Sequence, residues 1–392
     1  MTTARRRCLI VHPGSELYGS DRVARETAAA PSAADWDLLA ILPSGGPLVD
    51  ALRNVGAVVR IAPQLVLRKS LLEPARLLAL PIRGLASLAR AVRLILKARP
   101  DVLYVNTVAL PIWPIAAWMT RTPTVVHIHE AEAAASRMVK RVLYGPAALS
   151  TAPVVNSAYT RSVVEAVYPS LAKRAELVYN GVPGPASPSA PRESLDPRPR
   201  ITYLGRLSHR KGTDLVIESV AILRDRGIDV QAHIVGDVFP GYEWFDRDLR
   251  SRVDELGLGD RIVRTGFVSD VWKVLSETDV LIVPSRLDES FGNTAVEGAL
   301  AGRPLVVSDT SGLREATAGL RAAQLVAPDR AVAIADAISS ILGDWPTHCR
   351  LAHEDATSTA SKFAPSRYAT EIVEIIRAAA GKHPSRTRRG TI

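Results

Sequence analysis

Short runs of apolar, often β-branched residues return along this chain at intervals filled by longer helical patterns, and that alternation limits the fold more than any other feature. In the first half the runs fall at residues 9–11, 38–42, 102–105, 124–128 and 154–155, each leading toward a Gly, Asn, His or Ser where a functional loop can begin. Strand-length runs separated by helix-length segments specify an α/β fold with a parallel, doubly wound sheet. Between residues 183 and 199 six prolines stand among glycine and serine, a composition that holds neither regular element and reads as a linker. The alternation then restarts at residues 201–204, 230–235, 261–265, 280–283 and 305–307. A chain of 392 residues exceeds what one core usually supports, so two α/β domains are expected, residues 1–182 and 200–362. A last helix is expected within residues 363–381, with Tyr368, Ile372, Ile375 and Ile376 on one face, and residues 382–392 read as a disordered basic tail.

Composition narrows the class further. The two cysteines, Cys8 and Cys349, stand far apart with no paired or metal-like spacing, so a reducing cytoplasm is the simplest setting. The longest apolar run, residues 108–119, is interrupted by Pro111 and Pro114 and is too short to cross a bilayer. Arg5, Arg6 and Arg7 precede an apolar stretch that ends at His12 and Pro13, a basic lead-in to a strand in place of a signal peptide. The net charge of +9 is uneven: residues 1–190 carry 22 Lys/Arg against 12 Asp/Glu, whereas residues 191–381 carry 23 against 28. A basic first half points to an anionic partner, whether a membrane, a nucleic acid or a phosphorylated substrate.

Two segments carry chemistry. The run at residues 201–204 empties into Gly205-Arg-Leu-Ser-His-Arg-Lys-Gly212, followed by a helical pattern. Gly205 lets backbone approach a ligand, the helix start supplies free N–H groups, and Arg206 and Lys211 can neutralise a diphosphate. The alternative is a strand-to-helix turn with solvated cations; a Walker loop is excluded by the spacing. The second segment, residues 284–304, places Glu289 in a loop and Glu297 about two helical turns beyond it, with Gly292, Asn293 and Thr294 at the helix start. Carboxylates accept hydrogen bonds from sugar hydroxyls, and N–H groups at a helix start favour phosphate. Ordinary helix capping with a solvated glutamate is the competing explanation.

Together these segments resemble the GT-B glycosyltransferases of the large retaining family 4, which includes bacterial polysaccharide and phosphatidylinositol mannosyltransferases. The resemblance runs through Tyr18-Gly-Ser-Asp-Arg22, Tyr179-Asn-Gly-Val182, residues 205–212, Gly236-Asp237, Thr265-Gly-Phe267, residues 289–297 and residues 308–315. It implies the GT-B architecture, two Rossmann-like doubly wound domains facing across a cleft, with the last helix returning to the N-terminal domain. It also implies retaining transfer of a sugar from a nucleotide-diphosphate sugar to a lipid-linked or polysaccharide acceptor in cell-envelope glycan synthesis. Arg206 and Lys211 would hold the diphosphate, Glu297 the ribose hydroxyls and Glu289 the transferred sugar. Phe291, Gly292 and Asn293 would supply backbone contacts, Asn293 standing where the family usually has a hydrophobic residue. Gly19 matches the first-domain glycine that completes the donor pocket, and His129 the histidine near the reacting sugar. No cofactor or metal is implied, because the cationic pair replaces a metal at the leaving diphosphate. The rival readings are a nucleotide-sugar epimerase of the same fold and a non-catalytic partner subunit.

Other features leave choices open. His127 and His129 share one face of a strand and could line the site or bind a metal together, with Glu130 directed elsewhere. Asp35-Trp-Asp37 and Asp246-Arg-Asp248 read as chance strings, not metal motifs. Residues 68–99 hold eight basic side chains against the single acid Glu73, interleaved with leucines. Such a segment suits an anionic membrane surface, at the inner face of the cell membrane; the alternative turns the leucines to the core and the cations to water. A nucleic-acid partner is not expected, since aromatic residues are scarce there.

Overall fold

The computed structural model describes residues 5–17, 19–33, 36–67, 74–185, 191–239 and 241–381. Tyr18, Asp35, residues 68–73, part of the expected linker (residues 186–190) and the expected tail at residues 382–392 lie outside these described residues. Two compact units form: one takes the chain up to Gly181 and again from Pro365 onward, the other is Val182–Ala364.

In unit 1 the order is β1 (Arg7–Val11), α1 (Gly19–Ala33), β2 (Asp37–Leu42), α2 (Pro47–Asn54), β3 (Val58–Ile61), α3 (Pro74–Ala98), β4 (Val102–Val105) and α4 (Ile112–Met119). It continues with β5 (Thr124–Ile128), α5 (Arg137–Tyr144), β6 (Ala152–Val155), α6 (Ala158–Glu165), α7 (Pro169–Arg174) and β7 (Glu176–Leu177). All seven strands are parallel, in the order β3-β2-β1-β4-β5-β6-β7. Side chains alternate across the sheet as the pleat requires. Leu9, Val11, Leu103, Val105, Val126 and Ile128 face a layer built on Ala91, Ile95, Trp113, Ala116 and Tyr144 of α3, α4 and α5. Cys8, Ile10, Val102, Tyr104 and Val125 face the opposite layer with Val23, Leu48, Tyr368, Ile372 and Ile376.

In unit 2 the strands are β8 (Arg200–Leu204), β9 (Gln231–Val235), β10 (Ile262–Gly266), β11 (Val280–Val283), β12 (Leu305–Ser308) and β13 (Ala323–Val326). The helices are α8 (Thr213–Asp225), α9 (Glu243–Glu255), α10 (Val271–Ser276), α11 (Asn293–Leu300), α12 (Ser311–Ala316), α13 (Ala331–Gly343) and α14 (Trp345–Lys362). The parallel sheet runs β10-β9-β8-β11-β12-β13. Ile201, Tyr203, Ile234, Val280 and Ile282 meet α8, α9 and α13 on one side, whereas Leu204, Val235, Leu281, Val283 and Leu305 meet α10, α11 and α12 on the other. The last helix, α15 (Pro365–Gly381), packs Tyr368, Ile372 and Ile376 into unit 1. Ile375, expected on the same face, is partly buried beside them.

Three strands, β3, β7 and β13, were not expected from the sequence. All lie at sheet edges, and Val58, Ile61 and Leu325 are exposed, so none shows the continuous apolar run of a strand buried on both faces. Among the described residues no helix is long and apolar enough to cross a membrane.

Candidate functional site

In an open parallel sheet the strand order reverses at one point, and loops at the carboxyl ends of the strands flanking it diverge to leave room for a ligand. In unit 2 that point lies between β8 and β11, so the loop after each strand belongs to one site. The loops are those of residues 205–212 and 284–292, and side chains and backbone bind them together. Lys211 donates from Nζ to Glu289 Oε1 at 2.6 Å, and Ser285 donates to the same oxygen at 2.6 Å. Arg286 N–H donates to the Arg210 carbonyl at 2.9 Å, and the Arg210 guanidinium donates to the Asp288 carbonyl at 2.8 Å. Arg286 also reaches the His209 carbonyl at 2.9 Å while bonded twice to Asp214 at 2.6 Å, on the first turn of α8.

Glycines make this closeness possible. Gly212 has φ +68°, and a Cβ there would lie 2.1 Å from the Pro284 carbonyl oxygen. A Cβ at Gly236 would lie 1.8 Å from the Gly205 carbonyl oxygen, so the loops after β8 and β9 are in backbone contact. Tyr203 donates to the Arg206 carbonyl at 2.6 Å, and the Arg206 guanidinium stacks on Phe239, its carbon 3.1 Å from the ring centroid. Phe291 is buried against Phe363, with centroids 5.4 Å apart, and Gly292 caps α11, whose first turn is Asn293 and Thr294. Glu297 is buried on α11, one turn inside the helix. Burial raises the Glu289 carboxyl, but the Lys211 ammonium and the hydrogen bonds from Lys211 and Ser285 outweigh it, so the group sits below the usual carboxylate range. Glu289 is therefore an anion at neutral pH, and it holds Lys211 in the loop.

Sequence reasoning named Arg206, Lys211, Glu289 and Glu297 but missed Ser285, Arg286 with Asp214, and Phe239. Their contacts arise from strands adjacent in the sheet and distant in sequence.

Unit 1 repeats the design. Its strand order reverses between β1 and β4, and His12, Asn106 and His129 immediately follow β1, β4 and β5, three adjacent strands. His12 bonds Asp21 at 2.7 Å and Asn106 at 3.0 Å, and Asn106 bonds His129 at 2.9 Å. The His127 ring lies against His129, with centroids 3.9 Å apart, and Tyr104 meets His127 Nδ1 at 2.6 Å. Burial, with His12 nearby, pushes the His129 ring down to about 3, and burial and His129 hold His127 well below its usual range. Both rings are neutral. Glu130 turns away to Thr107 and the Val108 N–H, tying the loop after β5 to the loop after β4. Among the described residues no group of three His, Cys, Asp or Glu side chains could hold a metal ion. Gly19, exposed, opens α1.

The comparisons with known proteins bear on both units. The sequence model described as Glycosyltransferase Family 4 matches residues 18–183, and the one described as Glycosyl transferases group 1 matches residues 198–344. Anabaena Alr3699/HepE, solved in complex with UDP-glucose, superposes with a TM-score of 0.80 at 21% identity, over 95% of this chain and 99% of that one. The chain belongs to the family 4 glycosyltransferases of the GT-B fold. The alpha-D-kanosaminyltransferase of Streptomyces kanamyceticus is 32% identical over 188 residues, 47% of each chain. The GDP-mannose-dependent alpha-(1-6)-phosphatidylinositol dimannoside mannosyltransferase of Mycobacterium tuberculosis is 35% identical over 153 residues, 38% of this chain and 37% of that protein. These matches span about half or less of the length of the curated relatives.

Proposed function

We propose that this chain transfers a sugar, with retention, from a nucleotide-diphosphate sugar to a lipid-linked or polysaccharide acceptor in cell-envelope glycan synthesis. The observation that carries the reading is the Lys211–Glu289 pair, which joins a cationic loop and a carboxylate loop at the switch point of one sheet. Arg206 and Lys211 take the diphosphate and stabilise the charge that grows on it as the glycosidic bond breaks. This positive charge makes a metal unnecessary at the leaving group. Glu289 accepts from hydroxyls of the transferred sugar and Glu297 from those of the ribose. Gly205, Phe291, Gly292, Asn293 and Thr294 bring backbone close to the phosphates and sugar. In unit 1, His129 contacts a sugar hydroxyl and Gly19 gives the ligand close access to backbone. No protein nucleophile is invoked. The donor types named for the relatives, UDP-glucose and GDP-mannose, define the first compounds to try.

An anionic membrane surface at the cytoplasmic face is part of the proposal. On α3, Ala91 and Ile95 are buried and Leu88 and Leu94 pack on the core, whereas Ile82 and Leu85, 75% and 69% exposed, point outward beside the exposed Arg83. The helices α4 and α5 pack on the same side of the sheet and expose Trp118, Met119, Met138 and Val142, near the basic Arg121, Arg137 and Lys140. Apolar side chains among cations suit an anionic leaflet.

The test is a thermal-shift screen of UDP- and GDP-sugars, followed by calorimetry with Lys211→Ala and Glu297→Ala. At least one nucleotide sugar should stabilise the wild type. Each substitution should weaken it about ten- to a hundredfold, the worth of one charge-assisted hydrogen bond. Unchanged affinity in both variants would remove the site assignment.

A further inference from the structure

The buried polar chain in unit 1 has a direction that donor and acceptor chemistry fixes. His12, Asp21, Asn106 and His129 are each more than nine-tenths buried. Asp21, as a carboxylate, only accepts, so the His12 Nε2 that meets it at 2.7 Å carries hydrogen. The Asn106 Nδ2 amide, which only donates, faces His12 Nδ1 at 3.0 Å, so the His12 lone pair is on Nδ1. That leaves the Asn106 oxygen facing His129 Nε2 at 2.9 Å, and an amide oxygen requires a donor. The His129 proton is therefore on Nε2, and its lone pair is on Nδ1. The ring is held neutral by burial. His127 packs against its face, and His127 is itself fixed through Nδ1 by Tyr104.

We propose that Asp21, His12 and Asn106 are positioning residues that hold His129 as its Nε2–H tautomer, so that Nδ1 accepts a hydrogen bond from a hydroxyl of the sugar. The sugar contact rests on the reading of His129 given above; the tautomer does not. The four side chains come from α1 and from the positions just after β1, β4 and β5, and each link follows from the one before. A purely packed core would serve stability with fewer polar groups, because a buried chain of this kind is costly unless every member is satisfied. Gly14 belongs to the same arrangement: a Cβ there would lie 3.0 Å from the Asp21 carboxylate oxygen.

The logic makes a remote substitution informative. In Asp21→Asn the side-chain amide can donate to His12 Nε2, which then becomes the acceptor nitrogen of that ring and sends the proton to Nδ1. The Asn106 amide must turn over, and its NH2 then faces His129 Nε2, moving the His129 proton to Nδ1.

The experiment is long-range 1H–15N correlation on protein labelled with 15N-histidine, with the His129 signals assigned through His129→Gln. In the wild type His129 should show a protonated Nε2 and an unprotonated Nδ1; the reverse pattern overturns the proposal without any variant being needed. In Asp21→Asn the pattern should reverse as the new amide turns its NH2 to His12 Nε2. The second readout is the affinity of the nucleotide sugar found in the thermal-shift screen, divided by that of the matching nucleoside diphosphate. This ratio isolates the sugar, and it should fall about tenfold in Asp21→Asn, the loss of one hydrogen bond. A reversed tautomer with an unchanged ratio keeps the relay but overturns the sugar contact, and with it the reading of His129 on which that contact rests. If no nucleotide sugar binds, the proposed function fails, while the tautomer measurement still decides the relay.

Discussion

His127 and His129 are neutral bases folded into a place where protonation is penalised. In the unfolded chain each takes a proton near pH 6.5, whereas the folded His129 resists until about pH 3. The unfolded state thus binds more protons across that window, so the stability supplied by the neutral rings is complete above pH 6.5 and declines as the medium is acidified. The slope approaches about 1.4 kcal/mol per pH unit for each histidine. Glu130, raised by burial, works in the opposite direction only nearer the carboxylate range. Urea unfolding at pH 7.5 and 5.5 should therefore show unit 1 losing about 1–3 kcal/mol on the acid side, with the difference reduced in His129→Gln. Equal stability at both values would mean that the rings are already protonated or solvated in the folded protein. These residues also mark the limit of sequence reading. His129 was legible as one of two histidines closing a strand. His12, Asp21 and Asn106 were not, because single polar residues separated by up to 94 positions show no spacing, and only the β1-β4-β5 order brings them together.

At the scale of elements, the clearest strands to read were those with both faces covered, although the edge strand β10, with Val263 exposed, was read as well. The β4 segment Val-Leu-Tyr-Val and the β11 segment Val-Leu-Ile-Val are buried at every position. The edge strand β3 has exposed side chains and carries no such signature. The two donor-site loops were visible in sequence and read as halves of one site, but the direct contact of Lys211 with Glu289, 78 positions apart, was not, and it follows from β8 and β11 being neighbours. Helix α3 turns Ala91 and Ile95 to the core and leaves Ile82 and Leu85 exposed. The outward part makes a prediction. Arg83→Glu with Arg93→Glu should reduce binding to vesicles rich in phosphatidylserine by more than tenfold, since each basic residue near such a surface contributes about 1 kcal/mol. Arg90 is best left intact, because it donates to the Pro63 carbonyl at 3.1 Å. Wild-type protein that fails to sediment with those vesicles, or a double variant that sediments equally well, would end the membrane reading.

At the scale of the whole molecule, each unit has its own sheet and its own two-sided core, so each should report separately in an unfolding experiment. Ile372, fully buried on α15, belongs to the core of unit 1 although it follows unit 2 in sequence. Ile372→Ala should cost about 2–5 kcal/mol. That loss should fall on the transition of unit 1, followed through the Trp36 and Trp113 signals of variants lacking other tryptophans, and leave that of unit 2 in place. A shift of the unit 2 transition alone would contradict the division. The same helix has a consequence for how the protein is made. Strand β1 leaves the ribosome about 350 residues before α15 does, so at roughly 5–20 residues per second the part of the first sheet that α1 and α2 leave open on that side waits about 20–70 s for its cover. Residues of unit 2 emerge in one uninterrupted stretch and can close their cores during that wait. The half of the protein that is born second is thus free to finish first, and the sheet face bearing Tyr104 and Val125 is the surface a chaperone would meet on the nascent chain.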